Sequence, residues 1–301
     1  MSYVLNNWSW DPFFFVALAV SVAHELGLHH LAARSLPART LARRRRSLLF
    51  YAGLLVLLVT VQSPIDYWSD YYYWVHMIQH LLLMFAAPSL IVAGAPWLPL
   101  LHFLPVRARR VVLRGLLVSS WSAPLRGAGR FLVRPWTAIV LFNISMVIWH
   151  VPALFDLGYR NQSVHIWLMH GSFFATGMLF WLQFIPSYPF RRKLAPGGQI
   201  TALLGTNFVM FMLAISQSIF APTSWYPVYS HLSGISLSPV ASQQIGAGIL
   251  WVCGDIWCYP AIVIAVRRLM DTDGLEGALD RFMRREARTA ELARRAAASR
   301  R

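Results

Sequence analysis

The chain has 301 residues, of which 57% are hydrophobic and only 13% charged. A soluble domain carries about a quarter charged residues, so the apolar excess points to lipid rather than to a large aqueous core. The net charge of +15 is spread between and after the apolar runs instead of being gathered on one aromatic-studded face, which excludes a nucleic-acid partner.

A helical span needs about 20 mostly apolar residues. Seven segments meet this, and they predict spans over 13–30, 47–62, 74–93, 136–151, 163–185, 200–221 and 243–266, the second and fourth being short. The expected fold is an all-α integral membrane protein, a seven-transmembrane helix bundle over 1–270 followed by a basic cytoplasmic tail over 271–301. No Lys or Arg occurs in the first ten residues, so the first segment reads as a retained span with an exported N-terminus. Pro88 and the run Gly94-Ala95-Pro96 predict a kinked third span whose freed carbonyls find partners on neighbouring helices.

The loops set the orientation. Arg34, Arg39 and Arg43 to Arg46 follow the first span, and seven arginines lie between the third and fourth. Arg191, Arg192 and Lys193 follow the fifth, and ten arginines follow the seventh. Only Arg160 falls in an opposite loop, so 26 of 27 cations share one side, which the positive-inside rule makes cytoplasmic. The basic amphipathic stretches 106–118 and 275–298 are expected at the lipid surface or as solvated ends. Cys253 and Cys258 both lie in the last apolar run and form no secreted-type disulfide framework.

Ionisable groups and histidines are costly within a span and mark candidate sites. His76 and His80 share a face near the outer end of the third span, His150 ends the fourth, and His165 and His170 occupy the outer half of the fifth. At 1.5 Å per residue all five fall within roughly 15 Å of the outer boundary. His165 and His170 are five apart, about 140° round an α-helix, so a shared ion requires local distortion. Met84 continues the His76–His80 face by one turn, Met169 shares the face of His165, and Met146 precedes His150 by four. Asp255, between the two cysteines, is a second-tier candidate. Imidazole with thioether suits copper, especially Cu(I), although zinc also accepts histidine. His24, Glu25, His29 and His30 in the first span read as structural polar contacts. A haem-binding cytochrome and an intramembrane zinc hydrolase remain alternatives. A retinal protein is excluded, because Lys193 is the single lysine and lies in a loop.

The stretch HMIQHLLLMFAAPSLIVAGAPW at 76–97 resembles the CtaG family of cytochrome c oxidase assembly factors, the caa3-type group. Trp149-His150-Val151-Pro152 with Asp156, then 174–181 after His165 and His170, and Gln243-Gln244 through Gly246, Gly248 and Trp251 are similar to further family blocks. The segment 253–258 departs from the Pro-Gly-rich pattern expected there, and the His165–His170 gap is five where a four-residue pair is expected. The resemblance implies a multi-pass protein of the bacterial plasma membrane, not an enzyme, that supports copper insertion at the CuB centre of a haem–copper oxidase. It implies oxidase subunit I as partner, membrane lipids around it, and a periplasmic or extracellular copper donor.

Overall fold

The computed structural model describes residues 7–9, 13–33, 35–190, 192–230 and 237–298. Arg34 and Arg191, two of the orientation-setting cations, lie outside the described residues. Among the described residues the fold is helical, with one isolated antiparallel bridge between Ser187 and Phe190.

The helices in order are α1 Phe13–Ala32, α2 Pro37–Gln62, α3 Pro64–Ser69, α4 Tyr73–Leu81 and, after a π turn at Leu82–Ala86, α5 Ala87–Gly94. Next come α6 Trp97–His102, α7 Val106–Leu117, α8 Ala123–Leu132, α9 Pro135–Ile148 and α10 Pro152–Arg160. A second π segment, Val164–His170, runs into α11 Gly171–Trp181, followed by α12 Pro196–Ser218 and α13 Pro239–Ala298. Proline does much of the punctuation. Pro37, Pro64, Pro135, Pro152 and Pro196 each open a helix behind a residue in the extended region. That is where a missing N–H costs nothing and where the residue before proline is driven.

Helix covers most of each of the seven expected segments, stopping short at 149–151, 182–185 and 219–221. Among the described residues five helices are long and apolar enough to cross a membrane alone: Phe13–Ala32, Pro37–Gln62, Tyr73–Gly94, Pro196–Ser218 and Pro239–Asp271. Ala123–Leu132 and Pro135–Ile148 qualify together as a sixth, bent by 75° at their junction. The count is thus five or six by length and composition, against seven expected. The difference lies in α9, cut to 14 residues by Pro135 and Pro152, and in Val164–Trp181, divided between π and α geometry.

Tyr73–Gly94 is the central element, with 78% of its apolar window buried against 22–33% for the other four. It packs on α13 through α4, and on α2 and α11 through α5. Pro88 has no N–H for the Met84 carbonyl, and the Trp181 indole fills the gap by donating to that oxygen at 3.3 Å. The close approach this needs is made at Gly177, where a Cβ would sit 2.7 Å from the Met84 carbonyl oxygen. The helices α7 and α8 bury none of their side chains and expose Val111, Leu117 and Leu125, and Trp121 in the turn between them is exposed as well. The helix α13 continues unbroken through the expected domain boundary at 270 to Ala298; most side chains of 275–298 lie outside the described residues.

Candidate metal centre

The site grows from two helical elements of different pitch. On α4, regular 3.6-residue geometry places His76 and His80 one turn apart, with ring centroids 4.2 Å apart. The second element begins at Asn161, whose side-chain oxygen accepts from the backbone N–H of Ser163 and Val164 at 3.0 and 3.2 Å. The chain then runs as a π-helix from Val164 to His170. In this geometry residue i+5, not i+4, returns over residue i, because the backbone bonds run i to i+5. His165 and His170 therefore share a face after all, with centroids 4.2 Å apart. This is the local distortion that a common ion requires.

The two pairs face each other. His76 lies 5.1 Å from His165 and 6.3 Å from His170, and His80 lies 5.9 Å from His170 and 6.0 Å from His150, ring centre to ring centre. All five imidazoles are at least 94% buried. One nitrogen from each of His76, His165 and His170 falls within 4.8 Å of the others. The Nε2 atoms of these three, and both ring nitrogens of His80, are buried without a hydrogen-bond partner among the described residues. Buried polar atoms in a folded protein normally have partners, so such a concentration of orphans is what an ion-accepting cluster presents.

Neighbouring groups fix which nitrogen faces inward. The Tyr229 hydroxyl donates to the Ser69 carbonyl at 2.8 Å and meets His76 Nδ1 at 3.3 Å. Its proton being committed, it accepts from Nδ1–H, and this assigns the lone pair of His76 to Nε2. His150 Nδ1 donates to the Met146 carbonyl at 2.6 Å, which leaves its Nε2 facing Met77 Sδ at 3.3 Å. Between the two histidines of α4, Gln79 Nε2 donates to the Thr60 carbonyl at 3.1 Å and to Asp66 at 2.6 Å, tying α4 to α2 and α3. Above the site Tyr73 stacks on Tyr226 at 4.5 Å and donates to Gln217, and Tyr226 donates to the His150 carbonyl at 3.0 Å. Gly246 lets α13 press onto this layer, since a Cβ there would meet the Tyr73 ring at 2.7 Å. Gln243 holds the adjoining loop by accepting from Trp225 N–H and donating to the Gln217 carbonyl, both at 2.7 Å.

Asp70 and Asp156 lie close enough to Tyr229 for their charge to be felt at its hydroxyl. Partial burial pushes both carboxyls above the usual carboxylate range, offset at Asp156 by Arg160.

The remaining expected residues are Met84, Met169 and Asp255. Met84 is buried within the first π turn. Met169 turns its methyl toward Gly158 of α10. Asp255 is half-buried, accepts from Trp251, and sits nine residues beyond Gly246 on α13, about 13 Å along the axis. The sulfur that does face an imidazole is Met77. It lies one residue from His76 and so on a different α-helical face, and face-matching passes it over. Tyr229 was also missed, in a polar loop with no periodicity to mark it.

The fold and the site define an all-helical membrane protein with a buried polyhistidine centre. The model of the cytochrome c oxidase caa3 assembly factor family, Caa3_CtaG, matches residues 23–272, and the chain belongs to that family. It is similar to the uncharacterized proteins Mb0105 of Mycobacterium bovis and MT0111 of Mycobacterium tuberculosis, each 28% identical over 229 residues. These alignments cover 73% of this chain and 33% of theirs, so the chain spans about a third of the length of the curated relatives it matches. No solved structure matches it.

Proposed function

We propose that this oxidase assembly factor handles copper directly, taking Cu(I) as cargo in the histidine centre and passing it to the CuB site of a haem–copper oxidase. The observation that carries the reading is the convergence within 4.8 Å of one ring nitrogen from each of His76, His165 and His170, buried residues whose Nε2 atoms have no partner among the described residues. A metal–nitrogen bond of about 2 Å sets ligand nitrogens at most about 4 Å apart, so sub-ångström side-chain shifts close the site. A donor set of neutral imidazoles with a nearby thioether, and no carboxylate among the converging atoms, suits Cu(I) better than a hard cation. His80 lies between this trio and the His150–Met77 pair, which offers the ion a second resting place and a way out.

The protein acts as a non-catalytic chaperone in the bacterial plasma membrane. Seven spans with the N-terminus outside place the histidine layer toward the periplasmic or extracellular copper donor and put the basic loops in the cytoplasm. Oxidase subunit I docks against the bundle to receive the ion.

The test is metal content with a visible spectrum on purified protein, for wild type and His76→Ala/His80→Ala. About one equivalent of copper in wild type, lost in the double variant and without a Soret band, supports the reading. No copper in wild type after Cu(I) loading leaves a scaffolding role in oxidase assembly, and a Soret band replaces the proposal with a cytochrome.

A further inference from the structure

The opposite end of the bundle holds an open surface cavity of about 390 Å³. Three arginines from three separate parts of the chain line it: Arg46 of α2, Arg192 of the connection before α12, and Arg268 of α13. Pro186, Tyr188 and Phe190 form an apolar wall. Among the described residues that line the cavity there is no acidic side chain.

Two of the guanidinium groups are held in place. Arg268 donates to Gln199 Oε1 at 3.3 Å, and Gln199, only 2% exposed, donates in turn to the Leu194 carbonyl at 3.1 Å. Arg192 donates to the Phe184 carbonyl at 3.4 Å. Burial and the charge of Arg268 together push the Arg192 guanidinium below its ordinary range. Like charges gathered this closely favour a shared counter-ion. The wall is fixed as well. Buried Ser187 accepts from the Trp97 indole at 2.7 Å, Phe190 N–H donates to the Ser187 carbonyl at 2.8 Å, and Phe190 packs edge-on against Trp97. A smaller adjoining cavity of about 70 Å³ shares Arg46 and Tyr188 and adds Arg43.

The position along the bundle selects the ligand. Gly246 touches the layer above the histidines, and Arg268 lies 22 residues further along α13. That is about 33 Å of helix, close to the roughly 30 Å hydrocarbon thickness. The arginine cavity thus sits at the membrane face opposite the histidine centre. Tyr188 is 65% exposed beside it, as an interfacial aromatic is. Arginine forks match phosphate oxygens, and basic pockets between spans at this face take lipid headgroups.

We propose that this cavity binds a phosphate group, presented there as the headgroup of an anionic phospholipid. It is independent of copper, so its failure leaves the histidine centre untouched.

The experiment uses the full chain in mixed micelles of phosphatidylglycerol and phosphatidylcholine, with retained lipid counted by native mass spectrometry. Wild type and a tail control, Arg284→Gln/Arg285→Gln, are expected to prefer phosphatidylglycerol by roughly 10- to 100-fold. Arg46→Gln/Arg192→Gln/Arg268→Gln is expected to lose that preference. The matching Lys triple variant keeps the charge and is expected to keep part of the preference, which separates lost binding from lost folding. Millimolar inorganic phosphate that fails to displace the lipid supports the headgroup as source; displacement supports the same phosphate site with soluble phosphate as its ligand. A Gln triple variant that retains phosphatidylglycerol as wild type does overturns the proposal, as does a wild type with no preference.

Discussion

The molecule has two groups of membrane histidines, and they differ in what their nitrogens touch. In α1 and beside it, His24 Nδ1 meets the Tyr51 hydroxyl at 3.0 Å, Tyr51 donates to Glu25, His29 lies 3.6 Å from Glu25, and His30 Nδ1 donates to the His102 carbonyl at 2.9 Å. His24 keeps one buried nitrogen without a partner, yet the rings against it are Phe50 and Tyr51, not other imidazoles. In the other group five imidazoles cluster, and among the described residues the buried Nε2 atoms of His76, His80, His165 and His170 have no partner, while His150 Nε2 meets Met77. Residue type is the same in the two groups, and His24 is as buried as the five. What separates a structural histidine from a candidate ligand is convergence of lone pairs that nothing else uses.

That contrast can be broken most directly at the ligands. His76→Ala/His80→Ala is expected to abolish copper retention, and His24→Ala to leave it near one equivalent, both read by elemental analysis of protein matched by size-exclusion profile. Copper lost equally from both variants removes the distinction.

The π segment offers the next largest effect. One alanine inserted after exposed Trp167 sets His165 and His170 six apart and is expected to weaken Cu(I) competition against a chelator by at least about 10-fold. Deleting Trp167 sets them four apart in α geometry, again on one face, and is expected to change affinity by only about three-fold. The reverse order contradicts the register argument.

Tyr229→Phe tests the group that orients His76. It removes the hydroxyl that fixes the inward Nε2 and is expected to lower copper affinity by about 10-fold while the helical circular dichroism stays unchanged. Phenylalanine at Tyr51, on the structural group, is expected to leave copper affinity alone. The smallest effect falls on loading rate. Asp70→Asn with Asp156→Asn removes negative charge above the centre and is expected to slow Cu(I) uptake a few-fold at low salt, with the difference shrinking as salt is added.

Much of this was legible from the chain because it rests on regular geometry. The His76–His80 pair, the helical segments and the carbonyl freed by Pro88 follow from α-helical spacing and from proline's missing N–H. The freed Met84 carbonyl finds its partner on a neighbouring helix as expected, although no sequence pattern names Trp181 as that partner. What stayed hidden depends on changes of pitch. Two π turns, at Leu82–Ala86 and Val164–His170, leave no mark in hydrophobic periodicity. The second brings His165 and His170 into line. The centre's irregular parts were hidden too. Tyr229 comes from a loop, and Met77 faces His150 from a side of α4 that spacing arguments assign elsewhere.

X-ray absorption at the copper edge, on protein loaded with Cu(I) in nanodiscs, tests the central claim most directly. The account predicts two or three nitrogen scatterers at about 2 Å with the multiple-scattering signature of imidazole, lost in His165→Ala/His170→Ala. A first shell of sulfur alone, or a spectrum unchanged by that double variant, would contradict it.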